Sequence, residues 1–184
     1  HFSYSSIKTK PYEFLIENII KIPSARTATD FGLDVHNAFE KIMMNQAKID
    51  DFDDDVKRAV QNGLNAIESL KKQYPGLIIE SVEKKIDLPL SSMTTYDDGP
   101  LIFTGKIDAL FKHDSGYLII DYKTSKNDNS SSEYKQQLSV YRKMYSLLEG
   151  IPEEKIGICI VFVALRGSIN TGKFDWLVEV GKRN

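Results

Sequence analysis

The sequence is short of cysteine, of long apolar runs and of net charge. Cys159 is the single cysteine among 184 residues. One thiol can build neither a disulfide framework nor a cysteine-rich zinc site. A reducing, cytoplasmic (intracellular) setting is therefore expected. No apolar stretch approaches the roughly 20 residues that span a bilayer, so no membrane partner is expected. His1-Phe2-Ser3-Tyr4 lacks the pattern of a signal peptide. The absence of an initiating Met leads us to expect a segment of a longer chain. The formal net charge of −2 provides no overall basic field. A nucleic-acid partner would need its phosphate charge offset locally, as a bound metal can do. What is present suffices for one domain over residues 1–184, because 41% hydrophobic content can bury a real core.

The first half has helical periodicity. A helix capped at Ser5 or Ser6 is expected to run to Ile20, with Pro11 awkward inside it. After the Pro23–Ala28 connection, Phe31, Val35, Phe39 and Ile42 recur at helical spacing. The acidic run Asp50, Asp51, Asp53, Asp54 and Asp55 precedes a third helix, whose positive N-terminal end suits Asp53 to Asp55. Val56, Val60, Leu64, Ile67 and Leu70 form its apolar face, and Tyr74-Pro75-Gly76 stops it. From Leu77 the period changes. Strands are expected at Leu77–Leu90, Leu101–Phe111, Tyr117–Tyr122, Ile156–Leu165 and Lys173–Val180, with a helix at about Glu133–Leu148. His113-Asp114-Ser115-Gly116 makes the second and third strands a hairpin. The fold class is α/β, a sheet with helices packed on it.

The hairpin carries the chemistry. Asp121 and Lys123 lie two apart, so they project from the same strand face while Tyr122 turns away. Hairpin pairing can bring Asp108 beside them. Two carboxylates make an oxygen-rich cradle for a hard cation, which can acidify water and neutralise phosphate. A lysine beside that cradle can orient water or help deprotonate it. The competing reading is a solvated strand face with a surface ion pair. Leu118-Ile119-Ile120 is continuously apolar, however, so the strand reads as buried and its polar end as a site.

Gly105-Lys106-Ile107-Asp108, followed by Ile120-Asp121-Tyr122-Lys123-Thr124, resembles the RecB-like branch of the PD-(D/E)XK nuclease superfamily. Tyr134-Lys135-Gln136-Gln137-Leu138-Ser139-Val140-Tyr141 is similar to that family's Y-x-x-Q-L-x-x-Y helix. Phe31-Gly32-Leu33-Asp34-Val35-His36 resembles its upstream G-x-x-x-H helix, and Ser3 to Phe14 its opening segment. The resemblance implies a restriction-endonuclease-like core: a central mixed sheet, N-terminal helices and a helix after the D-x-K strand.

The same resemblance implies roles. His36, Asp108, Asp121 and the backbone carbonyl of Tyr122 would hold Mg²⁺ or Mn²⁺, with His36 and both aspartates in joint reach of one ion. Lys123 would be the catalytic lysine, acting with Asp108 and Asp121. Gln137 and Tyr141 would border the site and the DNA; core packing is an equal reading for Tyr141, and Gln137 is evenly poised. Glu40 would be a supporting or surface residue, and Glu83, on the preceding strand, is left outside the ligand set. Some members hold an iron–sulfur cluster through four cysteines. Here Lys10 precedes Pro11-Tyr12 where the first would stand, so no cluster is expected. The implied function is metal-dependent DNA cleavage in repair or recombination, coupled to a helicase in the same chain or complex. The alternative is a silent nuclease-fold module that binds DNA or docks a partner. Lys106, Lys126, Lys135, Arg142 and Lys143 would form a local patch for phosphate, and the acidic run would face away from it.

Overall fold

A computed structural model of the chain describes residues 30–93, 101–125, 130–165 and 167–171. The expected helix ending at Ile20, the Pro23–Ala28 connection, Lys126 and the expected strand Lys173–Val180 lie outside the described residues. Among the described residues two helices come first, α1 (Asp30–Met43) and α2 (Asp54–Gln73). Three strands follow: β1 (Ile78–Pro89), β2 (Ile102–His113) and β3 (Gly116–Lys123). Helix α3 (Ser131–Glu149) then leads to β4 (Ile156–Phe162) and β5 (Ser168–Thr171). The expected strand Ile156–Leu165 thus ends earlier, in a 3-10 turn at Val163–Leu165.

The five described strands form one sheet in the order β1-β2-β3-β4-β5. Pairing is antiparallel except between β3 and β4, which run parallel. A parallel neighbour requires a crossover, and α3 supplies it. Gly150, at φ +66, closes α3, and the Ile151 N–H donates to the Ser146 carbonyl at 3.1 Å. Glycine adopts that left-handed conformation without steric cost.

Side-chain alternation on β3 assigns the helices to faces. The Tyr122 ring stacks on Phe39 of α1, with centroids 4.0 Å apart and planes 3° from parallel. The Lys123 ammonium lies 4.8 Å from the ring centroid of Tyr134 on α3. Adjacent strand residues face opposite ways, so α1 covers one side of the sheet and α3 the other. Strands covered on both faces are apolar throughout. Accordingly every residue of β4 is buried, Cys159 included, and burial pushes that thiol up to about 12.

Helices α1 and α2 bury Val35, Ala38 and Phe39 on α1 and Val56, Ala59, Val60 and Ile67 on α2 in the common core. Gly63 is the point of close approach: a β-carbon there would run into the Phe39 ring. The cost of overpacking is about 1–3 kcal/mol, more than the helix propensity gained by replacing glycine, at most about 1 kcal/mol. Gly63→Val should therefore lower stability by about 2 kcal/mol in urea titration. An unchanged midpoint would show that Phe39 can move freely.

Candidate active site

The site lies where the β2–β3 ladder runs out of regular pairing. In the β2–β3 ladder the last paired residues are Ala109 and Ile120. One further step in the same register sets Asp108 opposite Asp121. There Asp108 takes over as acceptor: the Tyr122 N–H donates to Asp108 Oδ2 at 2.9 Å. In the β1–β2 ladder Val82 pairs with Ala109 and Lys84 with Ile107, which sets Glu83 opposite Asp108. Glu83, Asp108 and Asp121 therefore form one row across three neighbouring strands. Asp121 is the only buried charged side chain among the described residues.

His36 reaches this row from α1. Its Nδ1 lies 3.3 Å from Asp108 Oδ1 and its Nε2 lies 3.0 Å from the Tyr122 carbonyl oxygen. A carboxylate and a carbonyl both accept hydrogen bonds. Satisfying both requires a proton on each ring nitrogen, which is the imidazolium. Burial alone would lower the His36 pKa, but the Asp108 hydrogen bond and the charges of Asp108 and Asp121 outweigh it and raise it.

Lys123 and Asp121 form the second pair, with Nζ 2.7 Å from Oδ2. Burial raises the Asp121 carboxyl to about 6; Lys123 opposes that rise, and Asp108 adds to it. The Lys123 ammonium is disfavoured by burial, yet Asp121 and Asp108 more than compensate and hold its pKa above the ordinary lysine value.

The donor set suits a divalent cation. Nitrogen and carboxylate atoms of His36, Glu83 and Asp108 lie within 4.8 Å of one another. Glu83 Oε2 and Asp121 Oδ2 are buried without a well-aligned hydrogen bond, although each has an ammonium nearby, Lys106 and Lys123 respectively. Buried carboxylate oxygens left in that condition are costly unless a charge completes them. Imidazole and carboxylates together fit Mn²⁺ or Mg²⁺.

His36, Asp108, Asp121, Tyr122 and Lys123 thus lie together at one end of β3. Asp121 does not join the trio His36, Glu83 and Asp108, because it is turned to Lys123. Glu83 is the residue that sequence reasoning left out. Tyr141 packs: it is buried, and its ring edge fits against Gly105 of β2. Its hydroxyl accepts from Gln137 Nε2 at 3.0 Å, and Gln137 remains half-buried at the rim. Three residues of the expected basic patch are engaged in ion pairs. Lys106 is paired with Glu83, and Arg142 and Lys143 with Glu153. Nor does the acidic run lie wholly away from the site. Asp55 lines an open groove of about 680 Å³ together with Phe31, Arg58, Asn62 and Thr124, the residue after Lys123.

The family description of the PD-(D/E)XK nuclease superfamily matches residues 1–175. The chain is 22% identical over 171 residues to one of the subunits of an ATP-dependent helicase/nuclease from Limosilactobacillus reuteri subsp. reuteri (strain JCM 1112). That match covers 73% of this chain and 12% of the relative, so the chain spans about an eighth of the relative's length. A solved structure of a candidate exonuclease from Eubacterium rectale superposes with a TM-score of 0.56 at 13% identity. It covers 100% of this chain and 78% of that one, and at this identity the likeness concerns the fold.

The His36–Asp108 pair can be checked directly. In the metal-free protein the imidazole should titrate above 6.5 by NMR. Asp108→Asn should bring it down, because both the hydrogen bond and the charge are weakened. A value at or below 6.5 in the unsubstituted chain would show that the pair does not form.

Proposed function

This chain belongs to the PD-(D/E)XK nuclease superfamily, and from that premise we propose that it is a divalent-metal-dependent deoxyribonuclease domain serving DNA repair or recombination. The observation that carries the reading is the meeting of His36, Asp108 and the Asp121–Lys123 pair at one end of β3. His36, Asp108, Asp121 and the Tyr122 carbonyl would hold Mg²⁺ or Mn²⁺, which supplies positive charge against the phosphate and acidifies water.

The chain's own groups do the rest. Lys123 keeps its ammonium through Asp121 and the Tyr134 ring, so it acts as a fixed positive charge. Placed beside the scissile phosphate, it would stabilise charge as that charge develops. Asp121 holds the ammonium in line, and Asp108 fixes the strand end through the Tyr122 N–H. Gln137 would touch the substrate from the rim, held by the Tyr141 hydroxyl.

Arg142, Lys143 and Lys106 are already paired to carboxylates, which reduces the positive charge they present to DNA phosphates. Binding by this domain alone should be weak and should fall further with salt. A helicase motor in the same chain or complex, of the kind named in the helicase/nuclease relative, would deliver the strand at high effective concentration.

The test is cleavage of labelled single- and double-stranded DNA with Mg²⁺, with Mn²⁺ and with chelator. Product should require the metal. Lys123→Ala should lower turnover by about 10²–10³-fold while Mn²⁺ binding by calorimetry is kept. A protein that binds metal and DNA yet releases no product would instead be a silent nuclease-fold module. Near-normal turnover in Lys123→Ala would remove the lysine from the mechanism.

A further inference from the structure

We propose that Glu83 is a further ligand for the cation of this site, and that the Lys106 ammonium holds the cation's place on Glu83 until the cation arrives. The inference rests on the metal-dependent reading above and adds two residues to it.

Four observations point to Glu83. The β1–β2 register sets it opposite Asp108, and opposed residues in an antiparallel pair share a face. Its backbone is at φ +51, a left-handed conformation rare for a residue other than glycine, aspartate or asparagine. Its side chain is only 11% exposed, and Oε2 is buried without an aligned hydrogen bond. Finally, its carboxylate lies within 4.8 Å of both the His36 nitrogen and the Asp108 oxygen. Ligands on opposite sides of Mg²⁺ stand about 4.2 Å apart, given bonds of about 2.1 Å. Adjacent ligands stand about 3.0 Å apart on the same geometry, so a swing of the Glu83 side chain by on the order of an ångström would put all three on one ion.

Lys106 is built to leave. It sits on β2 two residues before Asp108, and its side chain is 62% exposed although its ammonium meets Glu83. Its charge rides on a long, exposed stem, so it can swing out to water without disturbing the strand. A divalent ion shared with Asp108 and His36 outcompetes it. A merely structural Glu83–Lys106 bridge would have no such competitor.

The two readings separate in Mn²⁺ calorimetry on the protein without DNA. Glu83→Gln keeps the shape and removes the charge, and should weaken Mn²⁺ binding about tenfold or more. Lys106→Ala should tighten it severalfold, because the competing ammonium is gone. In a Glu83→Gln background the Lys106→Ala effect should vanish, as a double-mutant cycle requires of a coupled pair. Unchanged affinity in both single variants, or weaker binding in Lys106→Ala, overturns the inference. Asp108→Asn is the control. Loss of binding there, with Glu83→Gln unaffected, rejects Glu83 alone and leaves the nuclease reading standing. No loss in either variant rejects both.

Discussion

Three carboxylates in a row across neighbouring strands repel one another and must be neutralised. Much of the local architecture follows from that constraint. Glu83, Asp108 and Asp121 stand on adjacent strands, and each is met by a cation: Lys106, protonated His36 and Lys123. These cations come from β2, α1 and β3, so charge balance ties one helix to two strands. A buried charge deprived of its partner costs several kcal/mol. The elements that deliver these partners are therefore held in place by the site as well as by the core.

Tyr122 is where core and site join. Its ring stacks on Phe39 against the α1–α2 interface, its N–H donates to Asp108, and its carbonyl accepts from His36. One residue thereby fixes the relative positions of the helix bearing the histidine and the strand bearing the aspartate and lysine. The apolar side explains the rigidity. Phe39 is pinned between the Tyr122 ring and the space left by Gly63, so α1 cannot slide without unstacking the pair. His36 lies three residues before Phe39 on the same helix, so its reach to the carboxylates is set by hydrophobic packing.

The sequence made much of this visible. Period-two logic put Asp121 and Lys123 on one face, the turn residues fixed the β2–β3 hairpin, and helical spacing identified Val35 and Phe39 as core. Glu83 was invisible for a physical reason. Its facing depends on a register shift between Ile79 and Ser81 and on its own positive φ, and alternation counted along the strand reveals neither. Phe31 fitted the apolar periodicity of α1 but is 42% exposed, because it overhangs the groove beside Thr124. The ion pairing within the expected basic patch was hidden because linear spacing does not disclose it. Glu153 lies beyond the turn that ends α3, and folding back brings it to Arg142 and Lys143. The expected strand to Leu165 stopped at Phe162 because the chain turns to let the Val163 carbonyl accept from Asn62 at 2.8 Å, which ties the sheet to α2.

The same charge balance bears on how a chain of net charge −2 could engage DNA. In the metal-free state the three carboxylates are matched by three single positive charges, and the site offers a phosphate no net attraction. A divalent ion held by His36 would require the imidazole to give up its proton, so two positive charges would be added and one removed. On the reading proposed above, Lys106 would also be released from Glu83, giving a mobile ammonium beside the site. The local field would then turn positive only when the ion is present, without any large basic surface. On that reading attraction for substrate and capacity to cleave it would arise together, because both would draw on the charge brought to the carboxylate row.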